Sequence, residues 1–143
     1  MHTVQQILNS KRIDEIWSIL PNATVYEAIQ MLADKRVGAL LVMEDSKLLG
    51  IISERDYARE VILKGRASKE TRVKDIMSSN VITVSSTAGV QDSLGVMTNN
   101  RIRHLPVVDG GVVQGVISMG DLVKDIISDQ QSTIEQLENY IRG

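Results

Sequence analysis

The chain of 143 residues contains no cysteine and no phenylalanine, and its only aromatic side chains are one Trp and three Tyr. The absence of cysteine excludes disulfides, thiolate nucleophiles, iron–sulfur clusters and Cys-ligated zinc. The aromatic residues are not interleaved with basic ones, and the net charge is −2. The sequence therefore offers neither a stacking platform nor a basic excess that would neutralise phosphates, which argues against nucleic-acid binding.

Long apolar runs are also lacking. The longest, Ala39 to Met43, has five residues, whereas a membrane-spanning helix needs about 20. A secretory signal peptide is not expected either, because residues 11–15 include four charged side chains where such a peptide would be apolar. The sequence predicts a cytoplasmic protein without membrane contact.

The composition that remains is that of a folded protein. Apolar residues make up 43% of the chain and charged residues 24%, which is typical of globular domains. The length fits one domain or two fused small halves. Because phenylalanine is absent, we expect a core built from Ile, Leu, Val and Met, with β-branched residues in buried strands.

The most informative pattern is an internal repeat. With an offset of 65 residues and no gap, residues 16–63 align with residues 81–128, and ten of the 48 positions are identical. The identical pairs include Gly50/Gly115, Ser53/Ser118 and Asp56/Asp121. We conclude that the chain contains a duplication, as fixed-period self-similarity indicates.

Both copies predict a β-α-β-β-α order, which places the protein in the α/β (α+β) class. In the first copy (16–65) the elements are a strand at 16–19, a helix begun by the capping box Thr24-x-x-Glu27, strands at 39–43 and 48–52, and a helix at 54–64 ended by Gly65. In the second copy (81–128) they are a strand at 81–84, a helix capped at Ser86 or Thr87, strands at 105–108 and 112–117, and a helix at 119–127.

Three segments lie outside these copies. Residues 1–15 contain a short helix opened by Thr3-x-x-Gln6, and residues 66–80 form a polar linker that ends in a small amphipathic turn. Residues 129–143 predict a separate C-terminal helix capped by Ser132-x-x-Glu135. The last helix carries an apolar stripe of Ile134, Leu137 and Ile141. A short helix is marginal alone in water, so we expect this stripe to pack on its own chain or on a second copy.

The repeated motif Ser-x-x-Asp can serve two purposes. Ser53-x-x-Asp56 and Ser118-x-x-Asp121 lie where a strand ends and a helix begins, and the N-terminus of a helix favours an anion. The carboxylate could accept hydrogen bonds from two vicinal hydroxyls, and the serine could donate to a phosphate oxygen, as a ribose phosphate would require. The alternative is a variant capping box, which stabilises a helix by about 1 kcal/mol. The four residues alone leave both readings open.

The sequence resembles a tandem pair of cystathionine-β-synthase (CBS) domains, known as a Bateman module. The resemblance covers Ile16 to Ser128, and the residues that carry it form four motifs: Arg36–Glu44, Arg101–Asp109, Gly50–Asp56 and Gly115–Asp121. It implies two repeats packed about a pseudo-twofold axis, with adenine nucleotides bound in two clefts between them. It also implies that two such modules pair, so a homodimer is expected.

The resemblance also implies which residues line each cleft. One cleft would combine Asp121, Ser118, Met119 and Gly120 with Ser18, Gly38 and Ala39. The other would combine Asp56, Ser53 and Arg55 with Thr83, Ile102, Arg103 and His104. In the second set the cationic side chains would face phosphate, with an exposed strand edge as the alternative interpretation of Arg103 and His104.

The predicted function is that of a regulatory module that binds an adenine nucleotide and signals its state to an unknown effector protein or through self-assembly. AMP is the expected ligand, and ADP, ATP and NAD(H) are alternatives. The second hypothesis is a ligand-independent interaction adaptor. Catalysis is not expected, because His104 is the only plausible imidazole and no Gly-rich phosphate loop is present. No catalytic residue and no metal site are predicted.

Overall fold

The computed structural model describes residues 2–11 and 16–142. Residues 12–15 of the predicted lead-in and residue 143 of the predicted C-terminal helix lie outside the described residues. The chain divides into two compact units. The first-repeat unit is Glu15–Ile82, and the second-repeat unit combines Met1–Asp14 with Thr83–Gly143. The segment that precedes the first repeat therefore belongs to the unit that contains the second.

The first-repeat unit is a three-stranded sheet with helices. Helix α1 (Val4–Ser10) belongs to the other unit. The elements that follow it are β1 (Ser18–Ile19), α2 (Val25–Lys35), β2 (Ala39–Glu44), β3 (Lys47–Ser53), α3 (Glu54–Tyr57), a π-helical turn (Ala58–Ile62) and α4 (Val73–Ile76). The strand order is β1-β2-β3. Strand β1 pairs parallel with β2, and β2 pairs antiparallel with β3.

The core of this unit is aliphatic, as the lack of phenylalanine predicts. Its buried side chains come from every layer of the unit: Ile19, Val25, Ala28, Leu32, Leu40, Val42, Ile52, Val61, Val73 and Ile76. Branched aliphatic residues fill the space between a pleated sheet and a helix without the bulk of an aromatic ring. The apolar positions at three- and four-residue spacing in α2 are those that face this core.

The second-repeat unit repeats the hairpin in the same register. Its elements are α1, α5 (Val90–Asn100), β4 (His104–Asp109), β5 (Val112–Ser118) and α6 (Met119–Arg142). His104 lies opposite Ser118 on the antiparallel neighbour, as Ala39 lies opposite Ser53 in the other unit. Both hairpins shift register at the corresponding point, after Val42 and after Val107. The duplication inferred from the sequence is thus repeated in the strand pairing.

Several local predictions are confirmed. Thr24 caps α2, its side chain accepts from the Glu27 amide at 3.2 Å, and the Glu27 carboxylate accepts from the Thr24 amide. The Thr3 amide likewise donates to the Gln6 side chain at the start of α1. Gly65 has a φ of +67°, the left-handed conformation in which glycine commonly ends a helix. Both predicted hairpins are present, with strands one or two residues longer than expected.

Other boundaries were predicted wrongly. Helix α5 is capped at Gly89 and not at Ser86 or Thr87. The Ser86 amide instead donates to the Asp109 carboxylate at 2.9 Å, and the first helical amide, that of Val90, donates to the His2 carbonyl at 3.1 Å. Backbone from a distant segment therefore replaces the expected side-chain cap.

The outer strands and the closing helices also differ from expectation. The strand predicted at 81–84 is reduced to one parallel bridge between Val84 and Val107. The strand predicted at 16–19 is shorter than expected, because β1 contains only Ser18 and Ile19. The helix predicted at 54–64 changes to π-helical hydrogen bonding after Tyr57. Ser132 caps nothing, because α6 runs without a break from Met119 to Arg142. No Gly or Pro interrupts residues 121–142, so the helix has no reason to stop there.

The apolar stripe on the last part of α6 does not pack on the described part of its own chain. Ile134, Leu137 and Ile141 are 53%, 59% and 82% exposed. Of the two expectations for this stripe, docking on its own chain is therefore wrong for the described residues. Among those residues, no helix is long and apolar enough to cross a membrane.

The segments before each repeat are themselves a duplicated pair. Residues 2–11 align with residues 71–80 at an offset of 69, with Val4/Val73, Ile7/Ile76 and Ser10/Ser79 identical. The Val4 amide donates to the Ala88 carbonyl at 2.9 Å, and the Val73 amide donates to the Ala23 carbonyl at 2.9 Å. Helices α1 and α4 therefore occupy equivalent places, each in the unit of the repeat that it does not precede. The gap-free offset of 65 hides this relation.

Two equivalent glycines make room for these lead-in helices. A Cβ at Gly50 would lie 2.6 Å from the Met77 sulfur and 2.9 Å from the Ser78 carbonyl oxygen. A Cβ at Gly115 would lie 2.9 Å from a terminal methyl of Leu8. A side-chain methyl can move aside, whereas the Ser78 carbonyl is held by the bridge between Ile51 and Ser78.

We therefore expect Gly50→Ala to lower the free energy of unfolding by about 1–3 kcal/mol, as overpacking against fixed atoms does. Gly115→Ala should cost less, because Leu8 can change its rotamer. Urea denaturation followed by circular dichroism measures both. Equal losses in the two variants, or no loss in Gly50→Ala, would contradict this account of the glycines.

Candidate functional site

The Ser-x-x-Asp motifs form reciprocal caps at the junctions of β3 with α3 and of β5 with α6. The Asp56 amide donates to Ser53 Oγ at 3.2 Å, and Asp56 Oδ2 accepts from the Ser53 amide at 2.9 Å and from its hydroxyl at 3.0 Å. The Asp121 amide donates to Ser118 Oγ at 3.1 Å, and Asp121 Oδ2 accepts from the Ser118 amide at 2.9 Å. Capping, one of the two readings left open by the sequence, is present in both copies.

Capping leaves part of each carboxylate unused. Within residues 2–11 and 16–142, Oδ1 of Asp56 and Oδ1 of Asp121 accept no hydrogen bond. An ionised carboxylate has about four acceptor positions, so each group retains the capacity to bind hydroxyls while it caps its helix. The cap also limits rotation of the side chain. Capping and ligand binding are therefore compatible roles for the same residue.

A second hydrogen bond ties the entrance of each hairpin to the following helix. The Glu54 amide donates to the Gly38 carbonyl at 3.2 Å, and the Met119 amide donates to the Arg103 carbonyl at 2.8 Å. Because the register also pairs Ala39 with Ser53, the start of one strand and the cap of the helix lie side by side. The same holds for His104 and Ser118 in the other unit.

The structure thus brings the predicted site residues together in two groups, one in each unit. The first-repeat unit gathers Gly38, Ala39, Ser53, Arg55 and Asp56. The second-repeat unit gathers Arg103, His104, Ser118, Met119, Gly120 and Asp121. The expected grouping of Asp121 with Ser18, Gly38 and Ala39, and of Asp56 with Thr83, Ile102, Arg103 and His104, joins residues of different units and stays a prediction.

The remaining predicted residues lie on neighbouring backbone. Ser18 is exposed on β1 and pairs with Leu41. Thr83 is exposed and directly precedes the Val84 bridge. Ile102 is half-buried, and its amide donates to the Met97 carbonyl at 2.9 Å at the end of α5. Its backbone N–H is therefore already used.

Charge is distributed differently in the two groups. Arg55 is half-buried beside Asp56, whereas Arg103 is exposed and His104 is half-buried with an interaction of its own. Gly120 takes the place of Arg55, and a Cβ there would lie 3.7 Å from Ser118 Oγ, an ordinary contact. A side chain would therefore fit at Gly120, so its absence leaves the first turn of α6 open.

Lys11 is a site residue that the sequence reasoning missed. Its Nζ donates to Asp121 Oδ2 at 2.9 Å and to the Val116 carbonyl at 3.0 Å. The position that corresponds to Lys11 at the 69-residue offset is Asn80, which is neutral. No ion pair reaches Asp56 within the described part of the chain. The offset of 69 relates the segment of Lys11 to residues 71–80, but no local sequence pattern places Lys11 beside Asp121.

The Lys11 contact changes the titration of Asp121. Burial raises the pKa of this carboxyl, whose side chain is 26% exposed. The hydrogen bond from Lys11, the Ser118 amide and the positive charge of Lys11 lower it, and together they outweigh burial. The pKa of Asp121 is therefore lowered, and the group stays ionised at neutral pH.

The family of the chain follows from its match to a known domain. The model of the CBS domain matches residues 6–63 and residues 73–128. The chain belongs to the CBS-domain family. Both matches begin inside the lead-in helices, as expected if each repeat includes the segment before it. The resemblance inferred from the four motifs is confirmed.

Three relatives of this CBS-domain chain are informative. The Arabidopsis thaliana protein CBSX3, mitochondrial, is 38% identical over 149 residues, which cover 99% of this chain and 72% of the relative. A CBS-domain protein of Burkholderia ambifaria has a solved structure with 46% identity and a TM-score of 0.87, covering 90% and 96% of the two chains. The CBS domain pair of protein MJ0100, solved with 5'-methylthioadenosine and S-adenosyl-L-methionine, has 25% identity and a TM-score of 0.79, covering 90% and 98%.

We expect Lys11→Met to lower the stability at neutral pH by about 1 kcal/mol, as the loss of one partly exposed ion pair does. Because the folded pKa of Asp121 is lowered, its contribution is present above the unfolded pKa and is lost as the pH falls through the folded pKa. The difference between Lys11→Met and the unmodified chain should therefore shrink in acid. Urea unfolding across a pH series measures it.

Asn80→Met is the matched control, because it alters the corresponding position where no ion pair is present. It should show no pH-dependent difference of this kind. If the deficit of Lys11→Met were the same in acid as at neutral pH, the charge of Lys11 would not be its cause.

Proposed function

We propose that the chain is a regulatory module that binds an adenine nucleotide through its two capped aspartates. The observation that carries the proposal is the unused Oδ1 of Asp56 and of Asp121, held at the start of a helix by a reciprocal cap. The two hydroxyls of a ribose match such an acceptor, and the helix dipole favours a nearby phosphate. The MJ0100 domain pair, which holds two adenosine compounds, supports an adenine ligand.

We propose AMP as the ligand, with ADP, ATP and NAD(H) as alternatives. The three cationic side chains Arg55, Arg103 and Lys11 favour a ligand that carries phosphate over a neutral nucleoside. Residues of both groups would take part, as the family resemblance implies. S-adenosyl-L-methionine and 5'-methylthioadenosine lack phosphate, so their binding would point to a different role for these cations.

The role proposed is regulatory and not catalytic. The hydroxyls of Ser53 and Ser118 both take part in the reciprocal caps, and neither hydrogen bonds to an imidazole in the described residues. A serine nucleophile requires an adjacent base. We propose that ligand state is passed to an effector protein or through a homodimer. The cytoplasmic location stays a prediction, since one relative is named as mitochondrial.

The first test is thermal unfolding with AMP, ADP, ATP, NADH, S-adenosyl-L-methionine and 5'-methylthioadenosine, with GTP as the control for the base. A ligand at a hundredfold excess over its Kd adds about 2.7 kcal/mol of stability, which should raise Tm by about 5–10 °C for a chain of this size. A rise confined to adenine compounds is expected. No shift with any of them at millimolar concentration would reject the proposal and favour the ligand-independent adaptor.

The second test separates the two aspartates. Lys11 already occupies Oδ2 of Asp121, whereas Asp56 is bound only by its own cap. We therefore expect Asp56→Asn to weaken AMP binding about tenfold or more, since hydrogen bonds to a charged group contribute about 1.5–3 kcal/mol. Asp121→Asn should weaken it less. Isothermal titration calorimetry measures both affinities.

Asparagine is chosen because its side-chain oxygen can still accept from the serine amide, so the cap and the fold are retained. Ser53→Ala serves as a control that weakens the cap but keeps the carboxylate. If Asp121→Asn weakened AMP binding more than Asp56→Asn, the idea that Lys11 reduces the acceptor capacity of Asp121 would be wrong.

A further inference from the structure

The second half of α6 is a helix without a partner in the described part of the chain. Leu122 is the only fully buried residue of α6. From Ile127 to Arg142 every residue is exposed, including Tyr140 at 86%. A helix of 24 residues is about 36 Å long, and the 16 exposed residues at its C-terminal end make up more than half of that length. We therefore expect the exposed apolar residues of α6 to pack against another helix.

The apolar residues of α6 form a coiled-coil seam. Spacings of four and three residues alternate through the six seam residues Val123, Ile127, Gln130, Ile134, Leu137 and Ile141. In heptad terms, Ile occupies all three a positions, and Val, Gln and Leu occupy the d positions. All six side chains are exposed. A strict seam of this kind is typical of one helix packing along another, rather than of a helix lying on a broad core.

The seam is complementary to itself in the antiparallel direction. When a positions face d positions, Ile141 lies opposite Val123 of the second copy and Leu137 lies opposite Ile127 of the second copy. Gln130 then meets Ile134 rather than another Gln130. The g positions contribute as well, because Tyr140 lies opposite Ile126 of the second copy. Every exposed apolar side chain of α6 is covered in this single register.

Charge favours the same direction. Lys124 and Glu138 occupy e positions beside the seam, both are exposed, and neither forms an ion pair among the described residues. An antiparallel pair places Lys124 opposite Glu138 of the second copy, twice per dimer. A parallel pair would instead place Thr133 opposite Glu138 and Gln130 opposite Gln130, with no charge pair. The antiparallel arrangement also keeps the second-repeat units of the two copies at opposite ends of the helices.

We propose that α6 pairs with α6 of a second copy of this chain in an antiparallel coiled coil whose register is fixed by Lys124 and Glu138. The proposal rests on the seam and its charges and is independent of nucleotide binding. It specifies the surface through which a homodimer forms. Each copy supplies the same residues, as a twofold interface requires.

Sedimentation equilibrium of the full chain tests the pairing, and a dimer is expected. Lys124→Glu or Glu138→Lys should each weaken the dimer about tenfold or more, because two attractive pairs become repulsive. The double variant Lys124→Glu/Glu138→Lys should restore dimerisation. Glu135→Lys, on the side of α6 away from the seam, is the matched control and should change nothing. All three positions, Lys124, Glu135 and Glu138, are exposed, so the fold should not be affected.

Cysteine cross-linking tests the direction, on a chain that has no native cysteine. Under oxidation, Val123→Cys/Ile141→Cys should give a disulfide-linked dimer, whereas Val123→Cys and Ile141→Cys alone should not. Linking by either single variant would show a parallel pair and overturn the register. A monomer at concentrations of tens of micromolar, or a dimer that is insensitive to both charge reversals, would overturn the proposal whether or not AMP binds.

Discussion

The reciprocal hydrogen bonds between serine and aspartate at the ends of β3 and β5 organise each unit. They end a strand and start a helix within one residue, and they hold a carboxylate at the helix N-terminus. The backbone bond from Glu54 to Gly38, and its counterpart from Met119 to Arg103, fastens the start of the preceding strand to the same point. The hairpin and the helix therefore meet at one fixed corner, where the unused carboxylate oxygen lies.

Both copies keep this capped junction of strand and helix, but the charged residues around it differ. The first-repeat unit has Arg55 at its helix and small residues, Gly38 and Ala39, at its strand. The second-repeat unit reverses this arrangement, with Gly120 at the helix and the larger side chains of Arg103 and His104 at the strand. Lys11 forms an ion pair with Asp121. The residue that corresponds to Lys11 is the neutral Asn80, which cannot form such a pair with Asp56. The two equivalent caps thus have different electrostatic surroundings.

The parts of the fold that were predicted correctly depend on local signals. The capping box at Thr24 and the glycine stop at Gly65 each involve residues close in sequence, and each is present. The predicted cap at Ser132 failed because a capping pattern is equally compatible with a helix interior when no Gly or Pro interrupts it. The predicted cap at Ser86 was wrong because the His2 carbonyl, from the distant lead-in, accepts the hydrogen bond from the first helical amide, that of Val90.

In the candidate site, too, the features set by local sequence could be predicted and those set by distant residues could not. The carboxylates of Asp56 and Asp121 and the residues at the strand entrances could be located from the duplicated motif. Lys11 could not, because it reaches Asp121 across 110 positions and lies in a segment related to its counterpart by a different offset. A search that allowed a four-residue change of offset would have aligned Val4 with Val73 and Lys11 with Asn80. That alignment relates the two lead-in segments but does not show that Lys11 contacts Asp121.

The placement of α1 has a consequence for how the protein folds. Helix α1 precedes the first repeat in the chain but belongs to the unit that contains the second, and His2 bonds to Asp125, 123 positions later. Contacts between such distant positions slow folding, because a long loop must close before they form. The second-repeat unit thus cannot acquire its lead-in helix by forming neighbouring contacts alone. Cutting the chain within residues 66–72 would separate Val73 and Ile76 from the core of the first-repeat unit and the buried Val4 and Ile7 from the second-repeat unit.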